Sequence, residues 1–205
     1  MKLVDYFDDL KIFLSKNKRR LILFCCFIML GLIIGFIFIL NSNSYLLLLK
    51  SEDKILLDYI AGLVNFGKQI TRFMFKVLGI LLVIFALNFN FYLGRLSYLI
   101  VSYQSMILCL STAAICTQFG IKGLLITLTI IVPINIIVLA LVVLFALVCC
   151  NRSELAMKSK DFCFDFNNRF FWINLAVILL VLFVVAVAVS VILFLIFRFG
   201  LFILF

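Results

Sequence analysis

Long uncharged runs alternate with short polar segments along this chain. Leu21 to Leu40 carries no charged side chain. A helix of that length is about 30 Å long, enough for one bilayer crossing. The run is too long for the apolar part of a cleaved signal peptide, and no small-residue cleavage site follows it. Comparable runs cover residues 77–93, 96–119, 123–148 and 172–197. The pattern predicts an all-α, polytopic bundle of five transmembrane helices forming a single membrane domain.

Two further segments repeat apolar residues at helical spacing but keep one polar face. In residues 1–20, Leu3, Phe7, Leu10 and Leu14 share a face, with Asp5, Asp8 and Asp9 around the other side and a basic cluster at the end. In residues 56–74, Leu56, Tyr59, Ile60, Leu63, Phe66, Ile70 and Phe73 form the apolar stripe. Asp58, Lys68, Gln69 and Arg72 lie opposite, with Lys76 just beyond. Both segments read as amphipathic interfacial helices that lie on the membrane or against a partner. The second sits in the 41–76 loop between the first two spans, which makes Lys68, Arg72 and Lys76 candidate partner contacts.

Within the spans, the departures from plain apolar sequence are informative. The first span carries Gly31 and Gly35, a spacing that lets another helix approach closely. Asn88 and Asn90 interrupt the end of the second span, and Gly94-Arg95 forms a short connection to the third. The third places Ser105, Cys109, Thr112 and Cys116 on one face and repeats Ser97, Gln104 and Ser111 every seven residues. Such small and weakly polar residues mark helix packing, or alternatively a water-lined path. Gly120 and Gly123 fall at the turn into the fourth span. That span contains Pro133, which is expected to open the ladder opposite Thr129 and kink the helix, and Asn135, which is expected to clamp it to the third. The fifth span is almost wholly Val, Leu, Ile, Phe and Ala, so it is expected to be the most lipid-exposed. Phe170, Phe171 and Trp172 at its start read as an interfacial aromatic belt.

Composition sharpens this picture. The chain is 67% hydrophobic and 13% charged, with a net charge of +9. Too few polar side chains are present to cover a soluble core, so the excess of basic residues points to anionic headgroups rather than nucleic acid. Eleven of the 18 basic residues fall in 1–20, at Arg95 or in 149–169. That bias predicts a cytoplasmic amino terminus, a cytoplasmic 149–169 loop and an extracytoplasmic 198–205 tail. The seven cysteines, Cys25, Cys26, Cys109, Cys116, Cys149, Cys150 and Cys163, show no zinc or redox spacing and read as packing residues.

The chain has no histidine, and its carboxylates lie outside the spans. The pattern therefore predicts no catalytic, cofactor or metal site. What remains is a set of packing devices suited to a non-catalytic scaffold, able to associate with partners or with copies of itself. A channel or permease subunit is the alternative, with Gln104, Ser111, Thr129 and Asn135 lining its path.

Two stretches also resemble a known family. GIKGLLITLTIIVPINIIVL, beginning at Gly120, is similar to the signature of the stage II sporulation protein M family, a Gly-x-x-Gly turn followed by an apolar run and Pro-x-Asn. MLGLIIGFIFILNS, residues 29–42, resembles that family's first span, with Gly31, Gly35 and Asn41-Ser42 in matching places. The resemblance implies a multi-pass membrane scaffold of the sporulation engulfment complex. Such a scaffold tethers two peptidoglycan hydrolases, the D and P proteins of the same stage, at the septal and engulfing mother-cell membrane. Ile134, Asn135 and Val138 stand where the broader family often has His, Gly and Glu, so roles resting on those residues do not carry over.

Overall fold

The computed structural model describes residues 3–41, 66–128, 132–159 and 169–198. Every element among them is helical. They are α1 (Leu3–Lys16), α2 (Lys18–Asn41), α3 (Phe66–Leu87), α4 (Phe91–Gly94), α5 (Ser97–Ile126), α6 (Val132–Ser159) and α7 (Arg169–Arg198). An apolar run in hydrocarbon has no water for its amides, and a helix satisfies them within the segment, which makes the helix the natural outcome.

Four of these helices are long and apolar enough to cross a membrane, over Lys18–Leu40, Tyr92–Ala113, Val132–Leu155 and Phe171–Ala188. The expected second span, 77–93, is different. Its helix ends at Leu87, and its apolar part, Phe73–Leu87, is too short to count among the four. At 1.5 Å per residue it reaches about 22 Å, against a hydrocarbon thickness near 30 Å. Nor is there a break between it and the expected surface helix, because α3 runs unbroken from Phe66. The 56–65 part of that surface helix lies outside the described residues. Over Phe66–Leu87 a single rod, polar at its start and apolar later, joins the end of the expected surface helix to the expected second span.

Three landmarks fix the helix directions. Phe24 of α2 packs on Tyr98 of α5 with ring centroids 4.3 Å apart, while Ile39 near the other end of α2 meets Met106 and Leu110. Thus α2 and α5 run parallel. Phe85 near the end of α3, Phe145 in α6 and Phe171 at the start of α7 form one aromatic group, with centroids 6.0 and 6.4 Å from Phe171. The end of α3, the starts of α5 and α7 and the later part of α6 therefore gather at the end of the bundle where α2 begins. The core joins Phe24, Val77, Leu81, Ile84, Val101, Val142, Phe145, Ile178 and Leu182. Phe13 and Leu14 pack against it, so the amphipathic α1 finds its partner in the chain's own bundle.

Several boundaries differ from expectation. Helix α6 begins at Val132, which places Pro133 in the first turn. There the missing N–H is one the helix would leave unpaired anyway, so no kink inside the span is needed. Thr129, the expected site of the opened ladder, lies outside the described residues. Helix α6 also continues through Cys149 to Ser159, where a polar loop was expected. Hydropathy marks where a chain leaves hydrocarbon; it does not mark where a helix stops.

The fifth span is not the most exposed. Only 17% of the apolar stretch of α2 is buried, against 28% for that of α7. Helix α7 buries Phe171, Asn174, Ile178, Leu182, Ala186 and Ser190 along one face, so it is a packed member of the bundle. The aromatic belt is also divided: Trp172 is exposed, but Phe171 is a core residue.

Candidate functional site

Two polar constructions hold the bundle, a seam along α2 and α5 and a joint at the end where α2 begins. The seam forms because Phe24, Ile28, Gly31, Gly35 and Ile39 recur at intervals of three or four and share one face of α2. A Cβ at Gly31 would collide with the carbonyl of Ser102 and the hydroxyl of Ser105. One at Gly35 would stand 2.9 Å from the Cβ of Cys109 and 3.2 Å from the carbonyl oxygen of Met106. Both glycines are therefore points of backbone-level approach. The Ser105 hydroxyl lies 3.0 Å from the carbonyl oxygen of Ile28 across the seam and 2.8 Å from that of Ser102 in its own helix. Its single proton is shared between them.

Other residues of the third span turn inward on their own helix. Ser111 and Thr112 donate to the carbonyl of Leu108 at 3.0 and 2.8 Å. Gln104 and Cys116 are half-buried. The Phe119–Lys122 turn is centred on Gly120, at φ 58° and ψ −134°, where α5 breaks its helical path. Gly123 follows within the resumed helix, before a π-type turn at 127–128. Asn135 is half-buried in the first turn of α6. Lys68, Arg72 and Lys76 all lie in the first half of α3, at intervals of four. Lys76 is exposed. The cysteines divide: Cys25 and Cys26 are exposed, Cys149 is buried, and Cys163 lies outside the described residues.

At the joint, Arg20 forms an ion pair with Glu154 of α6, and both side chains are about three-quarters buried. The same guanidinium lies 3.4 Å from the side-chain oxygens of Asn17 and Asn151. Asn17 occupies the break between α1 and α2, and its side chain donates to the carbonyl of Phe13 at 3.0 Å. Arg20 thus ties the α1–α2 corner to α6. Beside it, Asn88 is fully buried just past the end of α3. Its amide nitrogen donates to the carbonyl of Ile84 at 2.7 Å and to the hydroxyl of Ser97 at 2.9 Å. The Ser97 hydroxyl in turn faces the Cys150 sulfur, and the Cys150 thiol donates to the carbonyl of Gly94 at 3.6 Å. Asn90 caps α4 by accepting from the N–H of Tyr92 at 3.0 Å. The connection from α3 to α5 is therefore a structured turn over 88–96, pinned to α6.

Of this joint, Asn88, Asn90 and Gly94 stood out in the sequence as interruptions, and Ser97 through its seven-residue repeat. The Arg20–Glu154 pair and the role of Cys150 had no local signal. Chemically, the arrangement couples helices, and among the described residues its Asn88 amide oxygen is buried with no partner, as is the Thr127 hydroxyl at the far end of α5. No group of His, Cys, Asp and Glu side chains among those residues could hold a metal ion. No family model, curated protein or solved structure matches this chain.

Proposed function

We propose that this protein is a non-catalytic membrane scaffold. The observation that carries the reading is the use made of its polar groups. Ser105, Ser111, Thr112, Asn88, Ser97 and Arg20 hydrogen-bond or ion-pair with backbone and side chains of the bundle itself. Hydroxyls that bond to nearby carbonyls are poorly available to carry water or solute through a path, which favours a packed assembly over a channel subunit.

The resemblance to the stage II sporulation protein M family gives the proposal a concrete form. In it, the chain spans the septal and engulfing membrane and tethers the D and P peptidoglycan hydrolases on the extracytoplasmic side. The start of α3, with Lys68, Arg72 and Lys76, is the contact surface. It lies at the end of the bundle opposite Arg20, and the basic bias of the chain puts Arg20 inside.

The test is co-purification with the two hydrolases from detergent. The parent chain is expected to retain both, and charge reversal at all three basic residues is expected to release them. If the parent retains neither, the scaffold reading fails for these partners. If the reversed variant retains both, the contact surface lies elsewhere.

A further inference from the structure

The face of α2 opposite the seam has its own construction. Ile22, Cys25, Cys26, Met29, Leu30, Ile33 and Ile34 line a shallow, almost wholly apolar groove that faces away from the bundle. Extending its i, i+3, i+4 spacing backward from Ile22 leads to Lys18 and Arg19, both exposed. The next residue, Arg20, turns the other way into its pair with Glu154. Two cations therefore stand at the mouth of an apolar groove on the same stripe of one helix.

We propose that this stripe binds a single anionic phospholipid, with its phosphate on Lys18 and Arg19 and one acyl chain along the groove. The dimensions agree. From Ile22 to Ile34 the helix rises about 18 Å, close to the depth of one leaflet's hydrocarbon, about 15 Å. Charge selects the headgroup, because a basic pair at the bilayer surface favours an anionic lipid over a zwitterionic one. Cys25 and Cys26 are smaller than the Ile, Leu and Met residues that line the rest of the groove, and their thiols behave as small apolar groups there.

The experiment uses the full chain in detergent with equal amounts of phosphatidylglycerol and phosphatidylcholine, and native mass spectrometry counts the lipid retained. The parent is expected to keep one phosphatidylglycerol, with a preference of about thirtyfold for two basic contacts. In the double variant Lys18→Gln and Arg19→Gln the preference falls toward one. Met29→Trp leaves the cations in place but fills the groove, and it is expected to lower retention of both lipids. Equal retention of the two lipids by the parent overturns the proposal, as does a double variant that keeps the parent's preference. Oxidative cross-linking of Cys25 or Cys26 between copies in membranes also overturns it, since a second copy would then occupy the face.

Discussion

The side-chain oxygen of Asn88 occupies the space a side chain at Gly94 would need: a Cβ there would stand 2.7 Å from it. The glycine in the turn and the asparagine at the end of α3 are therefore a matched pair. Gly94→Ala should destabilise the bundle by about 1–3 kcal/mol, as overpacking does. The same change in an Asn88→Ala background should cost less than about 0.5 kcal/mol, because the clashing atom is gone. A double-mutant cycle in a detergent unfolding titration measures this coupling. Additive effects of the two substitutions would refute the pairing.

The seam should tolerate no added carbon at Gly31. The obstacle there is the backbone carbonyl of Ser102, which cannot swing aside as a side chain can. Gly31→Ala is expected to lose about 1–3 kcal/mol and to loosen α2 from α5. Gly35→Ala, which meets the Cys109 side chain less closely, should lose less. Ser105→Ala removes the hydrogen bond to Ile28 and should cost about 0.6–2 kcal/mol. Thermal unfolding in a fixed detergent ranks the three.

The Arg20–Glu154 pair should behave as a partly shielded interaction. Replacing either partner by Gln is expected to cost about 1–2 kcal/mol, between the exposed and fully buried cases. Exchanging the two, Arg20→Glu with Glu154→Arg, should recover part of that loss. Added salt should reduce the parent's advantage over the single variants. Stability measured at low and high ionic strength checks both expectations.

Two glycines with open surroundings should respond in opposite directions. Among the described residues, neither Gly79 nor Gly120 has a neighbour within 4 Å of an added Cβ. Gly79 lies inside α3, so Gly79→Ala should stabilise the helix by up to about 1 kcal/mol. Gly120 has a positive φ paired with an extended ψ, a conformation that side chains resist. Gly120→Ala should therefore cost about 1–3 kcal/mol in backbone strain alone. Equal responses at the two positions would mean that the break in α5 is dispensable.

The amino-acid sequence by itself determined the all-helical membrane class and most of the long helices. A run as wide as the bilayer must satisfy its own amides, and that requirement is local. It also determined the seam's two faces, because Gly31 and Gly35, like Ser105 and Cys109, are set by spacing within a single helix. Only the tertiary structure decided where α3 and α6 end, which positions Pro133 within a first turn and carries helix through 149–159. Those ends depend on caps and on partners brought from elsewhere, such as Asn151 and Glu154 meeting Arg20. The joint of Asn88, Ser97 and Cys150 was decided the same way. Its members sit on separate helices, and hydropathy says how deep a residue lies but not which helix is its neighbour.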